Sequence, residues 1–427
     1  MRYITLLTAA LLFAPPAMAQ QCATTPEAII KLRIPEIGAF SLWEKEYGKP
    51  EFDEQFTSGF ARKNGHVIAA GERKTADKTH LIIAELDQRG RKVWEAEHTP
   101  KSLQRVVKTF AHKDGFIILA AQKDAAWIGM FDFEGALKSQ KRIAIPNMSI
   151  TPHDLVPAPR GKGFVMAAST TGQDGAPYSL FIRLNTKFQR TAKRSYQTGL
   201  ANEVLRLIPH EHGLIGAGYM KDDHGRETGW LLRFEEDGAI GWQKQFPRGN
   251  GARLNGLKKY ETDRIIAYGE ATPAGNGDTA GWIMLTDADS GDIQWQRYYT
   301  SKKYAYRITN ADINNDGLIS ILLDGKTHSD KQSGNDVIKD QAGRALGNRS
   351  DYVRLMTLNP RGVIFDSMHF FHGEGADAST LIRGKKQERI LIGASDIHYE
   401  NAIKTIKSRE GWIVAAPALE PYTDPCE

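Results

Sequence analysis

Residues 212–246 read HGLIGAGYMKDDHGRETGWLLRFEEDGAIGWQKQF. Three short apolar runs stand out: Leu214 to Tyr219, Gly229 to Phe234 and Ile240 to Phe246. A polar loop separates the first two and the turn Glu235-Glu236-Asp237-Gly238 the second two, which predicts a meander of antiparallel strands. One such sheet cannot bury both of its faces, so further copies must stack on it.

The copies are present. The run at Leu214 recurs as HVIAAG (66–71), IILAAQ (117–122), FVMAAS (164–169), IIAYG (265–269), ISILLD (319–324) and LIGAS (391–395). The last residues of the seven runs step by 51, 47, 49, 51, 55 and 71 positions, long enough for four strands and their turns. All eight tryptophans obey the register. Trp127, Trp230, Trp282 and Trp412 fall in predicted third strands, and Trp43, Trp94, Trp242 and Trp295 in fourth strands. Turns of one style join these two strands: LDQRG at Leu86, FDFEG at Phe131, FEEDG at Phe234 and LNPRG at Leu358, each ending in the glycine that a tight turn needs.

The final repeat stops after its third strand, 411–416, whereas a fourth-strand sequence, LWEKEYG (42–48), precedes the first repeat. If the array closes into a ring, the early strand fills the vacancy and no edge is left open. Cys22 and Cys426, the only cysteines, would then meet at the seam and pair as a disulfide in an oxidising compartment; two free thiols are the alternative.

An apolar second strand, a Trp-bearing third strand, a [DN]-x-x-G turn and a W-x-[KR]-x-[YF] fourth strand together resemble secreted bacterial β-propellers of the PQQ-type or WD-repeat-like superfamily. The resemblance covers nearly all of residues 20–427. It implies an all-β, seven-bladed propeller of four-stranded antiparallel blades, closed by an N-terminal strand in the last blade. Members of the PQQ-type usually have eight blades and an adjacent cysteine pair, neither of which is seen here, so the expected cofactor is none. Propellers host many unrelated functions, so the resemblance speaks for fold more than activity.

Residues 1–19 read as an export signal: Arg2, an apolar run from Ile4 to Phe13, and Ala17-Met18-Ala19 before the cut. Gln21 before Cys22 argues against a lipoprotein, and no later run is long enough to span a bilayer as a helix. The expected location is the periplasm, or outside the cell. Losing Arg2 lowers the formal net charge from +5 to +4, and Lys and Arg are interspersed with Asp and Glu, so no nucleic-acid footprint is evident.

Two connections between second and third strands are long. Residues 325–351 are polar and Gly-rich, either a functional flap or mobile decoration, and 396–410 could hold a turn or two of helix. Both emerge on the face where the first strands begin, at the mouth of a central channel. Aligning the first strands puts Gln55, Arg105, His153, Glu203, Asn255, Arg307 and Asp377 there, one polar residue per blade. They are the candidate ligand-binding residues; a wet channel mouth would also be polar.

His153 precedes Asp154, but neighbours along a strand point to opposite faces and would not touch. His210 and His212 are assigned to a surface turn, and Asp312-x-Asn314-x-Asp316-Gly317 to a hairpin turn in preference to a calcium loop, whose twelfth position would here be Leu323. No nucleophile elbow, phosphate loop or zinc-spaced set is present, and no metal is expected. These residues favour a monomeric, non-catalytic binding protein for a protein partner or a cell-envelope glycan. The alternative is a hydrolase or lyase acting on a saccharide or polar metabolite at the channel mouth.

Overall fold

The computed structural model describes residues 25–33, 38–161, 163–211, 213–235, 238–273, 279–327, 351–373, 375–400 and 405–423. The export signal, Cys22, Cys426 and their pairing, His212, and all but the ends of the 325–351 insertion lie outside the described residues. Among those described there is no α-helix, only a single 3-10 turn at Pro159–Gly161.

Strands follow one another in antiparallel fours. The first quartet is Asp53–Ala61, Val67–Lys74, Thr79–Leu86 and Lys92–His98. The second to sixth occupy 103–143, 151–196, 201–246, 252–300 and 304–370. The final group, Gly375–Arg383, Arg389–Glu400 and Thr405–Ala416, takes Trp43–Tyr47 as its outer strand, in register from Trp43↔Ala415 to Tyr47↔Gly411. The first strand of each quartet lies beside the first strands of its neighbours, and Gly375–Arg383 lies beside Asp53–Ala61. First strands therefore surround a lumen and fourth strands form the rim, the arrangement of a β-propeller.

Burial on both faces explains why second strands read as unbroken apolar runs rather than alternating ones. Along Gly115–Gln122, Phe116, Ile118 and Ala120 face the first quartet, while Ile117 and Leu119 face the third. Every hydrophobic cluster lies between two consecutive quartets. One of them packs Phe56, Val67 and Ile82 of the first quartet against Ile390, Ile392 and Ile413 of the final group.

The outer tryptophans explain the turn glycines. Gly135 has φ +84°, and a Cβ there would stand 2.7 Å from the ring of Trp94 in the preceding quartet. Trp242 covers Gly291 and Trp295 covers Gly362 in the same way. Trp43 covers Gly90, so the early strand meets the first quartet through the contact used elsewhere around the rim, and Tyr47 donates to the Gly90 carbonyl at 2.5 Å. His372 adds a polar clasp: its Nδ1 is 2.7 Å from Glu44 Oε1, its Nε2 bonds Glu46, and its ring stacks on Trp412.

Two features depart from the sequence reading. Among the described residues, 396–400 and 405–410 are strand and not helix: the last hairpin extends as paired strands to Glu400 and from Thr405, with 397–400 and 405–408 continuing the cross-strand register. An additional strand, Glu27–Lys31, pairs in parallel with Ile293–Thr300 at the rim of the fifth quartet. Downstream of it, Arg354 holds the Arg33 carbonyl at 2.7 Å and Ala39 donates to the His369 carbonyl at 2.7 Å, so the arm crosses the sixth quartet before Trp43.

Gly135→Ala combines a side chain at positive φ with a collision against Trp94. It should destabilise the protein by about 2–4 kcal/mol in urea unfolding; a change under about 0.5 kcal/mol would contradict the contact. Burial opposes the charge on His372, but its bonds to Glu44 and Glu46 outweigh this and push its pKa up to about 9. A raised folded-state value gives stability that is complete below the ordinary 6.5 and is lost as pH rises through about 9. Melting of the wild type should therefore fall relative to His372→Gln over that interval, and parallel pH profiles would refute the clasp.

Candidate functional site

Each first strand carries an extra residue at an equivalent place, and Leu103–His112 carries a second one between Leu103 and Arg105. The register shifts between Phe56 and Ser58, Val106 and Lys108, Pro152 and Asp154, Val204 and Arg206, Leu254 and Gly256, Ile308 and Asn310, and Ala378 and Thr380. Such bulges bend the strand toward its neighbour. The second strand accommodates the bend with small residues: a Cβ on Gly218 would lie 1.8 Å from the Glu203 carbonyl oxygen, and one on Gly393 1.9 Å from that of Asp377. This close approach accounts for the glycines of the second-strand motif.

The bulges also correct the alignment of the mouth. Gln55, Arg105, Glu203, Arg307 and Asp377 all stand two residues before the bulge, whereas His153 and Asn255 are the bulged residues themselves. Their register equivalents in the third and fifth quartets are Thr151 and Arg253. An inserted residue leaves no mark in the alternation of a strand, so the two positions slipped by two.

Bulged residues mostly bind backbone of the next quartet. Asn255 donates to Ile308 O at 3.3 Å, Thr309 to Ala378 O at 2.8 Å and Ser379 to Thr57 O at 2.8 Å. The mouth residues mostly meet polar side chains that the sequence reading passed over. Gln55 donates to Glu72 at 3.1 Å, Arg307 to Asp324 at 3.0 Å, and Tyr219 to Glu203 at 2.7 Å. Arg409, from the extended hairpin, binds Asp377, Asp396 and Gln55. A signal was available: Glu72, Ser169, Tyr219, Glu270 and Asp324 lie at or just beyond the ends of the apolar second-strand runs.

These carboxylates have diverging acidities. Burial pushes Glu72 up to about 7 and Asp324 up to about 6, the latter with help from Asp377. Burial acts the same way on Glu203, but hydrogen bonds from His153, Ser169 and Tyr219 and the charge of His153 override it and hold that group down to about 2.

His153, Ser169 and Glu203 look like the parts of a nucleophilic relay, but they are wired otherwise. Ser169 Oγ at 2.9 Å and Glu203 Oε1 at 3.1 Å both contact Nε2 of the buried imidazole. A relay needs the hydroxyl and the carboxylate on opposite ring nitrogens. Asp154 turns away from His153: it binds Lys108 at 2.6 Å and the amides of Leu155 and Leu207 at 2.8 Å.

His210 ends a strand and is buried, not in a surface turn. It approaches Asp289 at 3.3 Å beside Glu211, and Arg233, 2.8 Å from Asp289, supplies a positive charge to this group. Asn314 Oδ1 accepts from the amides of Asp316 at 3.0 Å and Leu318 at 2.8 Å, while Asp312 binds Arg383; this is a hairpin turn.

Recesses open on the mouth face among the described residues. One of about 610 Å³ is polar and lies between loop 74–79 and the connection 99–103. A smaller one of about 140 Å³ is lined by Glu227, Arg253, Glu270 and Thr279.

No known family profile matches the chain, and no curated protein matches it in sequence. Solved structures similar to it include the WD40 domain of Toxoplasma gondii coronin, at 12% identity and a TM-score of 0.49 over 89% of this chain and 88% of that one. The β-propeller domain of the Trilobed protease from Pyrococcus furiosus has 10% identity and a TM-score of 0.44 over 86% of this chain and 100% of that one. Drosophila Plexin A, in complex with Semaphorin 1b, has 7% identity and a TM-score of 0.46 over 90% and 88%.

Proposed function

We propose that the chain is a seven-bladed, ring-closed propeller of the PQQ-type or WD-repeat-like superfamily, exported to the periplasm or beyond, that binds a protein partner or a cell-envelope glycan without catalysis. The closed ring is supported by Trp43–Tyr47 as the outer strand of the final group and by the cluster joining that group to the first quartet. The observation that carries the binding reading is at the mouth. Its charged groups largely satisfy one another, as in Arg307–Asp324 and Arg409–Asp377, while a broad polar recess stands open on the loops beside it. Paired charges hold a rigid rim, and open polar loops on a rigid scaffold suit recognition. The alternative hydrolase or lyase would need a free acid and base; His153 and Glu203 are already tied to each other.

A photo-crosslinking side chain at Lys78 or Lys101, on the recess, should capture a specific protein or glycan from native envelope extract. The same group at Lys113, on the opposite face, should not. Equal labelling from both faces would overturn the reading, and saccharide turnover abolished by His153→Gln without a change in melting would favour the enzyme.

A further inference from the structure

Below the mouth, the residues just past the bulges bring charge into the lumen. Lys108 and Asp154 pair at 2.6 Å, and Asp154 is fully used by that lysine and two amides. Three more cations approach this pair: Arg206 and Lys258 beside it, and Arg105 from the mouth above. Among the described residues none of the three has a carboxylate within salt-bridge distance. Arg206 donates to the carbonyls of His153 at 2.7 Å and Leu205 at 2.8 Å, and Arg105 reaches the Pro152 carbonyl at 3.4 Å.

Lys258 belongs to the fifth quartet, yet it interacts electrostatically with Lys108 of the second, Asp154 of the third, Arg206 of the fourth and Asp312 of the sixth. Only a group close to the axis can sense four other quartets. The nearby acids are engaged elsewhere: Asp312 by Arg383, Glu203 by His153 and Tyr219, and Glu72 by Gln55 and the Val106 amide. Lys108–Asp154 is thus the one salt bridge among four cations that meet inside a lumen with protein walls, where like charges repel strongly and an anion is attracted for the same reason.

We propose that this mid-channel cluster is a binding site for a compact, multiply charged oxyanion of the phosphate type. Guanidinium groups of Arg105 and Arg206 offer planar donors to its oxygens, and Lys258 supplies a point charge from the axis. Burial, joined by Lys108 and Arg206, lowers the proton affinity of Lys258 against the opposing pull of Asp312 and Asp154, which agrees with a site that is short of negative charge. The site lies below the loop recess and shares only Arg105 with the ring of mouth residues.

Calorimetry and thermal unfolding of the full mature protein with inorganic phosphate, against chloride at equal ionic strength, test this. Phosphate should bind saturably and raise the melting temperature, as a ligand of the folded state must. Lys258→Met should weaken phosphate binding by about tenfold or more yet melt higher than the wild type without phosphate, because it removes a half-buried charge that has no salt-bridge partner. Arg105→Gln, on a lumen-exposed side chain, gives a second variant with the same expected loss of binding. A hexose phosphate run in parallel distinguishes free phosphate from a phosphorylated sugar, and tighter binding of either supports the site. Binding no stronger than that of chloride, or phosphate binding unchanged in both variants, would overturn it.

Discussion

The contact that the rim repeats is an aromatic ring laid on a glycine of the next quartet. A turn at positive φ costs glycine little, and the absence of a Cβ lets the indole approach the backbone. Trp94 on Gly135, Trp242 on Gly291 and Trp295 on Gly362 are three instances, and Trp43 on Gly90 is another. The first, second, fifth and sixth quartets are thereby gripped at their outer edges by the sheet before them, while apolar second and third strands fill the space between quartets. The first strands lie within, bent by bulges toward one another.

Because neighbours supply each other's hydrophobic faces, the two ends of the array carry the greatest risk. Trp43–Tyr47 meets that risk by completing the last sheet. The preceding arm, from Glu27–Lys31 past Arg354 and His369, ties the same segment to the fifth and sixth quartets. Many modest contacts along one stretch of chain thus hold Trp43–Tyr47 in the last sheet, with His372 between Glu44 and Glu46 as their titratable part.

The sequence announced those parts whose physics is periodic. Apolar runs such as 117–122 and the eight tryptophans mark strands and register, since each recurs at a fixed place in the repeated unit. The candidate mouth was only partly legible. Gln55 and Arg307 could be placed by counting, but His153 and Asn255 could not, because a bulge changes which residue faces the lumen without changing composition. The cations Arg206 and Lys258 belong to the same difficulty: nothing in their local sequence says that they converge from different quartets. Glu27–Lys31 escaped notice because five residues in an irregular arm, paired in parallel to a distant strand, have no repeat to imitate.

Catalysis and binding part on a small point of wiring. Had Ser169 and Glu203 met opposite nitrogens of His153, the mouth would hold the elements of a nucleophile; sharing one nitrogen makes them a brace. The central claim is that residues 43–47 are a structural strand of the ring, held by the indole-on-glycine contact at Gly90. Amide hydrogen exchange measures this directly. The account predicts that the hydrogen-bonded amides of 43–47 exchange as slowly as those of 411–415 and accelerate together with them in Gly90→Ala. Exchange of 43–47 at the rate of free chain, while 411–415 stay protected, would contradict it.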